Sequence, residues 1–77
     1  MFKTLIRNLR KKSEQDALDA KVREALENAA ENGCTFAGWT NTEVATDMCT
    51  YDADLETHEV EEVTAALSRV RGAQYDG

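Results

Sequence analysis

The chain has 77 residues and a formal net charge of −6 at pH 7, with 42% hydrophobic and 31% charged residues. This size and composition are typical of one small globular domain, and they exclude a disordered chain and a multidomain protein. No apolar run approaches the length of a transmembrane helix, and charges interrupt the first twelve residues. We therefore expect a single domain over 1–77, with no secretory signal and no membrane attachment.

The charges are segregated along the chain. Between Glu24 and Ser68 there are eleven acidic side chains and no Lys or Arg, whereas the first twelve residues carry five basic side chains and no acid. A body this acidic repels nucleic acids and anionic membranes, and it attracts basic surfaces, including those with which proteins hold phosphates. The pattern favours a protein partner with a basic surface and argues against direct binding of nucleic acid.

Two helices are predicted in the first part of the chain. Apolar residues at helical spacing predict a basic amphipathic helix over 1–12. Ser13 resembles an N-cap and would begin a second helix that stops at Gly33, although the two segments could also form one helix. The apolar face of the second helix consists of Leu18, Val22, Ala25, Leu26 and Ala29. The opposite face carries Glu24, Glu27 and Glu31.

Two further helices follow a loop with aromatic residues. Thr40 and Glu43 form a capping box that begins a third helix, which ends near Thr50. Thr57 is the predicted cap of a fourth helix, which Gly72 ends, and a frayed tail follows over 73–77. The predicted fold is all-α, a compact bundle of three or four short helices with an acidic body over 13–72. The predicted core consists of Leu26, Phe36, Trp39, Val44, Met48, Val63 and Leu67.

Two acidic clusters are the candidate contact surfaces. Glu27 and Glu31 form a like-charge i,i+4 pair near the C-terminal end of a helix, which costs about 0.2–0.5 kcal/mol and opposes the helix dipole. Stability alone does not favour acids at these positions, although acidic solvated faces are common and an ordinary surface is the alternative. The second cluster lies between the third and fourth helices. The predicted partner-binding residues are Glu24, Glu27, Glu31, Asp52, Asp54 and Glu56.

The sequence contains no recognisable metal or catalytic motif. The acidic run that begins at Asp52 faintly matches the opening of a calcium loop, but Thr57 stands where such a loop needs Gly and Val63 where it needs Glu. A zinc site built from the two cysteines and His58 lacks a fourth ligand. A single His and the absence of a Gly-rich phosphate loop or a nucleophile elbow give catalysis no support. We therefore expect no metal, no cofactor and no enzymatic activity.

Cys34 and Cys49 are the only cysteines. Two are too few for a disulfide scaffold, so we expect buried free thiols in a cytoplasmic protein, with one bridge between them as the alternative.

Two resemblances point in different directions. The segment Trp39–Ala45 resembles the opening of the helix-turn-helix in MerR-like and excisionase-like regulators, with an aromatic residue, a capping Thr and Glu-Val-Ala. This likeness implies a DNA-associated regulator, but Cys49 stands where the turn Gly is expected and Asp52–Glu56 carries acids where a DNA reader has Arg or Lys. In size, charge and compactness, the acidic span Glu24–Glu62 is similar to small phage-encoded inhibitors, including anti-CRISPR proteins. That likeness implies a protein that occupies a nucleic-acid channel on its target.

The charge pattern and the second resemblance lead to one prediction. We expect a non-enzymatic protein that binds a basic, nucleic-acid-handling surface of another protein and blocks it by mimicking phosphates, in the manner of an anti-CRISPR inhibitor. The alternatives are a small helix-turn-helix-like DNA-associated regulator and a helical assembly adaptor that docks through its first helix.

Overall fold

The computed structural model describes residues 2–77, and for residues 2–13 it describes the helical backbone only. Its α-helices are α1 (Phe2–Glu31), α2 (Asn41–Tyr51) and α3 (Val60–Arg71), and a short 3₁₀ helix follows at Ala73–Tyr75. The described residues contain no strand. The predicted all-α bundle is confirmed, with α3 packed against both α1 and α2. No helix in this part of the chain is both long and apolar enough to cross a membrane.

Helix α1 is continuous over 30 residues. The predicted break at Ser13 is therefore wrong, and the alternative of one helix is confirmed. The segment around Ser13 contains no Gly or Pro, and most of its residues are good helix formers, so a possible cap does not stop the helix. A helix of this length spans about 45 Å, close to the 47 Å long axis of the molecule. The predicted amphipathic and basic faces of residues 1–12 lie outside the described side chains.

Helix α1 ends at Glu31, and Gly33 is its C′ residue, as predicted. Gly33 has φ 88°, and its N–H donates to the Ala30 carbonyl at 3.0 Å. The N–H of Cys34 donates to the Ala29 carbonyl at 2.8 Å. These two bonds form a Schellman motif, which satisfies carbonyls at the end of the helix and turns the chain sharply.

The core lies where α3 crosses the other two helices. Five of the seven predicted core residues are buried, and Leu26 is half-buried against them. Leu55, between α2 and α3, is also buried although no helical pattern marks it. The buried apolar residues are Leu18, Val22, Ala25, Phe36, Val44, Ala45, Met48, Leu55, Val63, Ala66 and Leu67.

The loop between α1 and α2 corrects the prediction for Trp39. Phe36 adopts a left-handed backbone with φ 55°, which is uncommon for an aromatic residue, and its side chain is only 6% exposed. The Trp39 ring packs against the edge of Phe36, with centroids 5.1 Å apart, and stays 38% exposed. Trp39 is therefore not a core residue, because Phe36 already fills the interior position and Trp39 covers its outer edge.

Helix α2 begins with the predicted capping box. The Glu43 N–H donates to Thr40 Oγ1 at 3.2 Å, and the Thr40 N–H donates to Glu43 Oε1 at 3.1 Å. Hydrogen bonds from the Thr40 backbone and then from its side chain lower the pKa of Glu43. This carboxylate thus serves the fold, since it satisfies a donor at the helix terminus.

The predicted cap of the last helix is misplaced. Glu59 is the N-cap of α3, without a side-chain hydrogen bond, so the prediction of a cap at Thr57 is wrong. The reason is the burial of Leu55, whose carbonyl accepts from the His58 N–H at 3.1 Å. This turn keeps Thr57 outside the helix, and α3 begins only at Val60.

The tail does not fray as predicted. Gly72 ends α3 with φ 116°, and the chain then forms the 3₁₀ helix. The Asp76 carboxylate accepts hydrogen bonds from Asn41 at 2.7 Å and from Ser68 at 3.0 Å. The tail is therefore fastened to the first turn of α2 and to the last turns of α3.

Arg71 connects the loop between α1 and α2 (residues 32–40), which we call the aromatic loop, to the tail. Its guanidinium donates to the carbonyls of Phe36 at 3.2 Å and Trp39 at 3.4 Å, and to Asn41 Oδ1 at 3.1 Å. The same group lies 4.3 Å from the centre of the Tyr75 ring. The Arg71 guanidinium therefore makes its hydrogen bonds within the fold, and its charge points towards internal acceptors.

Candidate functional site

The six predicted contact residues lie on two separate elements. The three glutamates lie on the C-terminal half of α1, and the other three acids lie in the turns after α2. All are exposed except Asp52, which is half-buried. The residues are Glu24, Glu27, Glu31, Asp52, Asp54 and Glu56.

The α1 glutamates form a stripe that faces solvent. Among residues 14–77 only two ion pairs form, Arg69 with Asp19 and His58 with Glu62. None of the stripe glutamates is in an ion pair or a side-chain hydrogen bond with another described residue. The stripe therefore presents full negative charges that the described part of the chain does not neutralise by direct contact.

The second cluster divides into a structural acid and two exposed acids. Asp52 Oδ1 accepts the N–H of Asp54 at 3.0 Å, and the Asp52 carbonyl accepts the N–H groups of Leu55 and Glu56 at 3.0 Å. Asp52 thus shapes the turn that carries its neighbours. The carboxylates of Asp54 and Glu56 are exposed and make no ion pair within residues 14–77.

The outer face of α2 lies outside the predicted contact residues. Trp39, Glu43, Asp47 and Tyr51 recur every four residues, and this spacing places them along one side of a helix. Tyr51 is 81% exposed, the most exposed large hydrophobic residue in the described structure. A shallow groove of about 440 Å³ follows this face. The spacing is visible in the sequence, but the apolar character of Trp39 predicts a core position, and no pattern in the sequence predicts a role for Tyr51.

A second groove, of about 330 Å³, runs between α1 and α2 on the other side of Tyr51. Buried Phe36 and Met48 are part of its lining. We call it the Tyr51 groove, and its polar and aromatic lining consists of Asn28, Asn32, Asp47, Tyr51 and Asp52. No Lys or Arg lines it. It combines apolar surface with two carboxylates, as a site for a cationic side chain with an apolar stem requires.

A cleft of about 460 Å³ lies between α1 and α3. It is lined by Lys21, His58, Glu62 and Arg69, among others, so charges of both signs are present. Asp19 holds Arg69 at 2.8 Å, and this hydrogen bond is the main reason that the pKa of Arg69 is raised. His58 Nδ1 lies 3.3 Å from Glu62. Because His58 and Arg69 are already engaged by Glu62 and Asp19, the cleft is a weaker candidate than the acidic surfaces.

The two cysteines are free thiols in different surroundings. Cys34 is exposed in the turn that follows α1, and Cys49 is only half-buried, so the prediction that both thiols are buried is wrong. The Cys49 Sγ donates to the His58 carbonyl at 3.6 Å. Burial, and then the charges of Glu59 and Glu62, raise the pKa of Cys49. Its thiol stays protonated near neutral pH and is a poor nucleophile.

Comparison with other proteins adds no assignment: no family model, no curated protein and no solved structure matches this chain. Within the described residues, no three His, Cys, Asp or Glu side chains converge as metal ligands would. The segment that would begin the second helix of a helix-turn-helix, Asp52–Glu56, forms turns instead.

Proposed function

We propose that this protein binds a basic, nucleic-acid-handling surface of another protein, without catalysing a reaction, and blocks that surface by presenting carboxylates in place of phosphates. The observation that carries the proposal is the α1 stripe, in which Glu24, Glu27 and Glu31 are exposed and make no ion pair within residues 14–77. An inhibitor of this kind resembles the anti-CRISPR class in its mode of action.

The spacing of the stripe supports phosphate mimicry. Glu27 and Glu31 are separated by about 6 Å along the helix axis. Phosphates on one strand of DNA are about 3.4 Å apart along the duplex axis, so the two spacings differ by less than a factor of two. A rigid helix that holds carboxylates at such intervals can contact Lys and Arg side chains that normally hold a nucleic acid, and binding would release the counterions of both surfaces.

The use of the two α3 arginines also supports the proposal. Arg69 is held by Asp19, and Arg71 is held by carbonyls of the aromatic loop. These cations are therefore engaged away from the stripe. Lys21 and Arg23 lie one turn before Glu24 and Glu27 on α1, but they form no ion pair with them. The stripe can therefore attract cations of a partner, over a range of about 10 Å at 0.1 M salt.

A helical assembly adaptor is the second candidate, and one observation favours it. Helix α1 has 30 residues, and residues 14–17 within it are exposed. A helix of this length is long enough to contact a partner as well as the core. This reading assigns binding to the basic segment and not to the acidic stripe.

The test separates these readings with matched variants. Once a partner is captured and identified, its affinity is measured at increasing salt for the parent and for the stripe variant Glu24→Gln, Glu27→Gln, Glu31→Gln. Each exposed ion pair contributes about 0.2–1 kcal/mol, so we expect a loss of roughly 3- to 150-fold. The turn variant carries Asp52→Asn, Asp54→Asn and Glu56→Gln, and we expect it to weaken binding as well.

Two controls decide the interpretation. The charge-matched control Glu14→Gln, Asp16→Asn, Glu61→Gln removes three exposed acids outside both clusters and should bind nearly as the parent does. The basic control neutralises Lys3, Arg7 and Arg10. The proposal fails if both acidic variants bind like the parent and only the basic control loses binding, which would favour the adaptor. A mobility shift of duplex DNA by the parent would instead favour the DNA-associated regulator.

A further inference from the structure

We infer that the Tyr51 groove receives one arginine side chain of the partner. This inference rests on the proposed function and adds a specificity to it. The acidic stripe attracts any cation, whereas the groove requires a basic side chain that is planar at its tip and apolar along its stem.

The shape of the groove fits such a side chain. Its volume of about 330 Å³ lies at the lower end of the range for ligand pockets. Phe36 and Met48 are nearly fully buried residues of its lining, and Ala25 and Ala29 of α1 extend the apolar surface. The three methylene groups of an arginine can cover this surface while its guanidinium reaches the polar lining.

The charge of the groove fits a cation. Asp47 is half-buried, and no donor within residues 14–77 reaches its carboxylate. Asp52 uses Oδ1 to accept the N–H of Asp54, so Oδ2 remains available. A carboxylate that is partly withdrawn from water gains more from a cation than a fully solvated one does. Asp47 is therefore the residue to which we assign the ion pair.

An amide at the end of α1 supplies a further acceptor. Asn32 Nδ2 donates one N–H to the Asn28 carbonyl at 2.9 Å, and Asn32 Oδ1 accepts no hydrogen bond from residues 14–77, so it can accept from a ligand. A guanidinium has five N–H donors in a fixed plane and can reach a carboxylate and an amide oxygen together. An ammonium group has a shorter reach and no such plane. The arrangement accordingly favours arginine over lysine.

Tyr51 supplies an aromatic face at the edge of the groove. Its ring is 81% exposed, so it is accessible for a cation–π contact. The fold already contains this combination elsewhere, since Arg71 lies 4.3 Å from the centre of the Tyr75 ring while it donates to oxygen acceptors. An apolar helix in the same groove would leave the Asp47 carboxylate without a partner, which costs free energy.

The test uses the full chain, labelled with ¹⁵N, and two probes. One probe is a glycine–serine peptide with arginine at every third position, and the other has lysine at the same positions. In low salt we expect the arginine peptide to shift the amide signals of Asn28, Asn32, Asp47 and Tyr51. We expect it to bind roughly 2- to 10-fold more tightly than the lysine peptide, about the gain of one hydrogen bond, because the planar guanidinium can reach the carboxylate and the amide oxygen together.

Three variants test which residues produce the preference for the arginine peptide. Asp47→Asn and Tyr51→Leu should each remove the difference between the two peptides, because each removes one partner of the guanidinium. Asp54→Asn removes the same charge as Asp47→Asn from an exposed position outside the groove, and it should keep the preference. Well-dispersed amide spectra establish that each variant is folded.

The outcomes distinguish this inference from the function on which it rests. If both peptides bind equally and shift only the amides of Glu24, Glu27 and Glu31, the arginine site is refuted and the acidic binding surface stands. If neither peptide binds in low salt, both are refuted. If the groove signals shift with protein concentration alone, the occupant is a second copy of this chain, and the inference is likewise overturned.

Discussion

Replacing Asn41 by Ala should destabilise this fold by about 2–4 kcal/mol, although Asn41 belongs to no predicted core. The side chain is fully buried, with 0% exposure. Its Nδ2 donates to the Gly72 carbonyl at 3.2 Å and to Asp76 Oδ1 at 2.7 Å, and its Oδ1 accepts from Arg71 at 3.1 Å. One amide thus joins the start of α2, the end of α3 and the tail.

The magnitude follows from these three bonds. A hydrogen bond to a charged group contributes about 1.5–3 kcal/mol, and a neutral one contributes about 0.5–1.5 kcal/mol. Two of the three bonds involve charged partners, Arg71 and Asp76. Both partners are only partly buried or exposed, and water can replace some of the loss, so the total is lower than the sum. A domain of this size has about 4–12 kcal/mol of stability, so the loss is a large fraction.

Urea unfolding followed by far-UV circular dichroism measures this loss. With an m-value of about 1–2 kcal/mol per M, the midpoint should fall by about 1–4 M while m stays unchanged. Asn28→Ala is the matched control, because Asn28 is exposed on α1 and Ala is the better helix former by up to about 0.7 kcal/mol. If the two variants unfold at the same midpoint, Asn41 does not fasten the tail, and the reasoning is wrong.

The remaining predictions concern the aromatic loop and the thiols. Phe36→Ala should lower the free energy of unfolding in urea by about 3–5 kcal/mol, the usual loss for a buried Phe. Trp39→Ala should lower it by only about 1–2 kcal/mol, mainly through loss of the aromatic pair. A larger loss for Trp39→Ala than for Phe36→Ala would show that Trp39 is a core residue. Cys34 should react with a disulfide reagent much faster than Cys49, and equal rates would contradict the protected surroundings of Cys49. Because the pKa of Cys49 is raised in the fold, its contribution to stability is present below the unfolded thiol pKa of about 8.5 and is lost as the pH rises further. The free energy of unfolding should therefore fall in alkaline solution, and less so for Cys49→Ala.

Local signals in the sequence predict most of the helices. The capping box at Thr40, the glycines at 33 and 72, and the apolar spacing mark where α2 begins, where α1 and α3 end, and which faces are buried. Ser13 misleads because a capping residue type also occurs within helices, where continuing the helix costs less than breaking it. Thr57 misleads for another reason, since the burial of Leu55 sets the turn and delays α3.

The missed residues depend on contacts between distant parts of the chain. Asn41 is buried because the tail returns to it from 35 positions away, and no local pattern contains that information. The Tyr51 groove is lined by residues of both α1 and α2, which are brought together because each packs against α3, and their separate sequences do not specify this. The exposed acids were identified from the sequence because charge and helical spacing are local properties.

The acids of this chain differ in what they do for the fold, so replacing an acid tests its charge alone only where that acid makes no structural contact. Four acids make structural contacts: Asp19 pairs with Arg69, Glu43 caps α2, Asp52 shapes the turn after α2, and Asp76 fastens the tail. Replacing Asp52 therefore changes a turn as well as a charge, so a loss of binding in the turn variant is ambiguous unless Asp54→Asn with Glu56→Gln reproduces it. The stripe on α1 carries no such ambiguity. Its glutamates satisfy no described donor and oppose both the helix dipole and each other. Their neutralisation should leave the fold as stable or slightly more stable, so any loss of affinity reports directly on the surface.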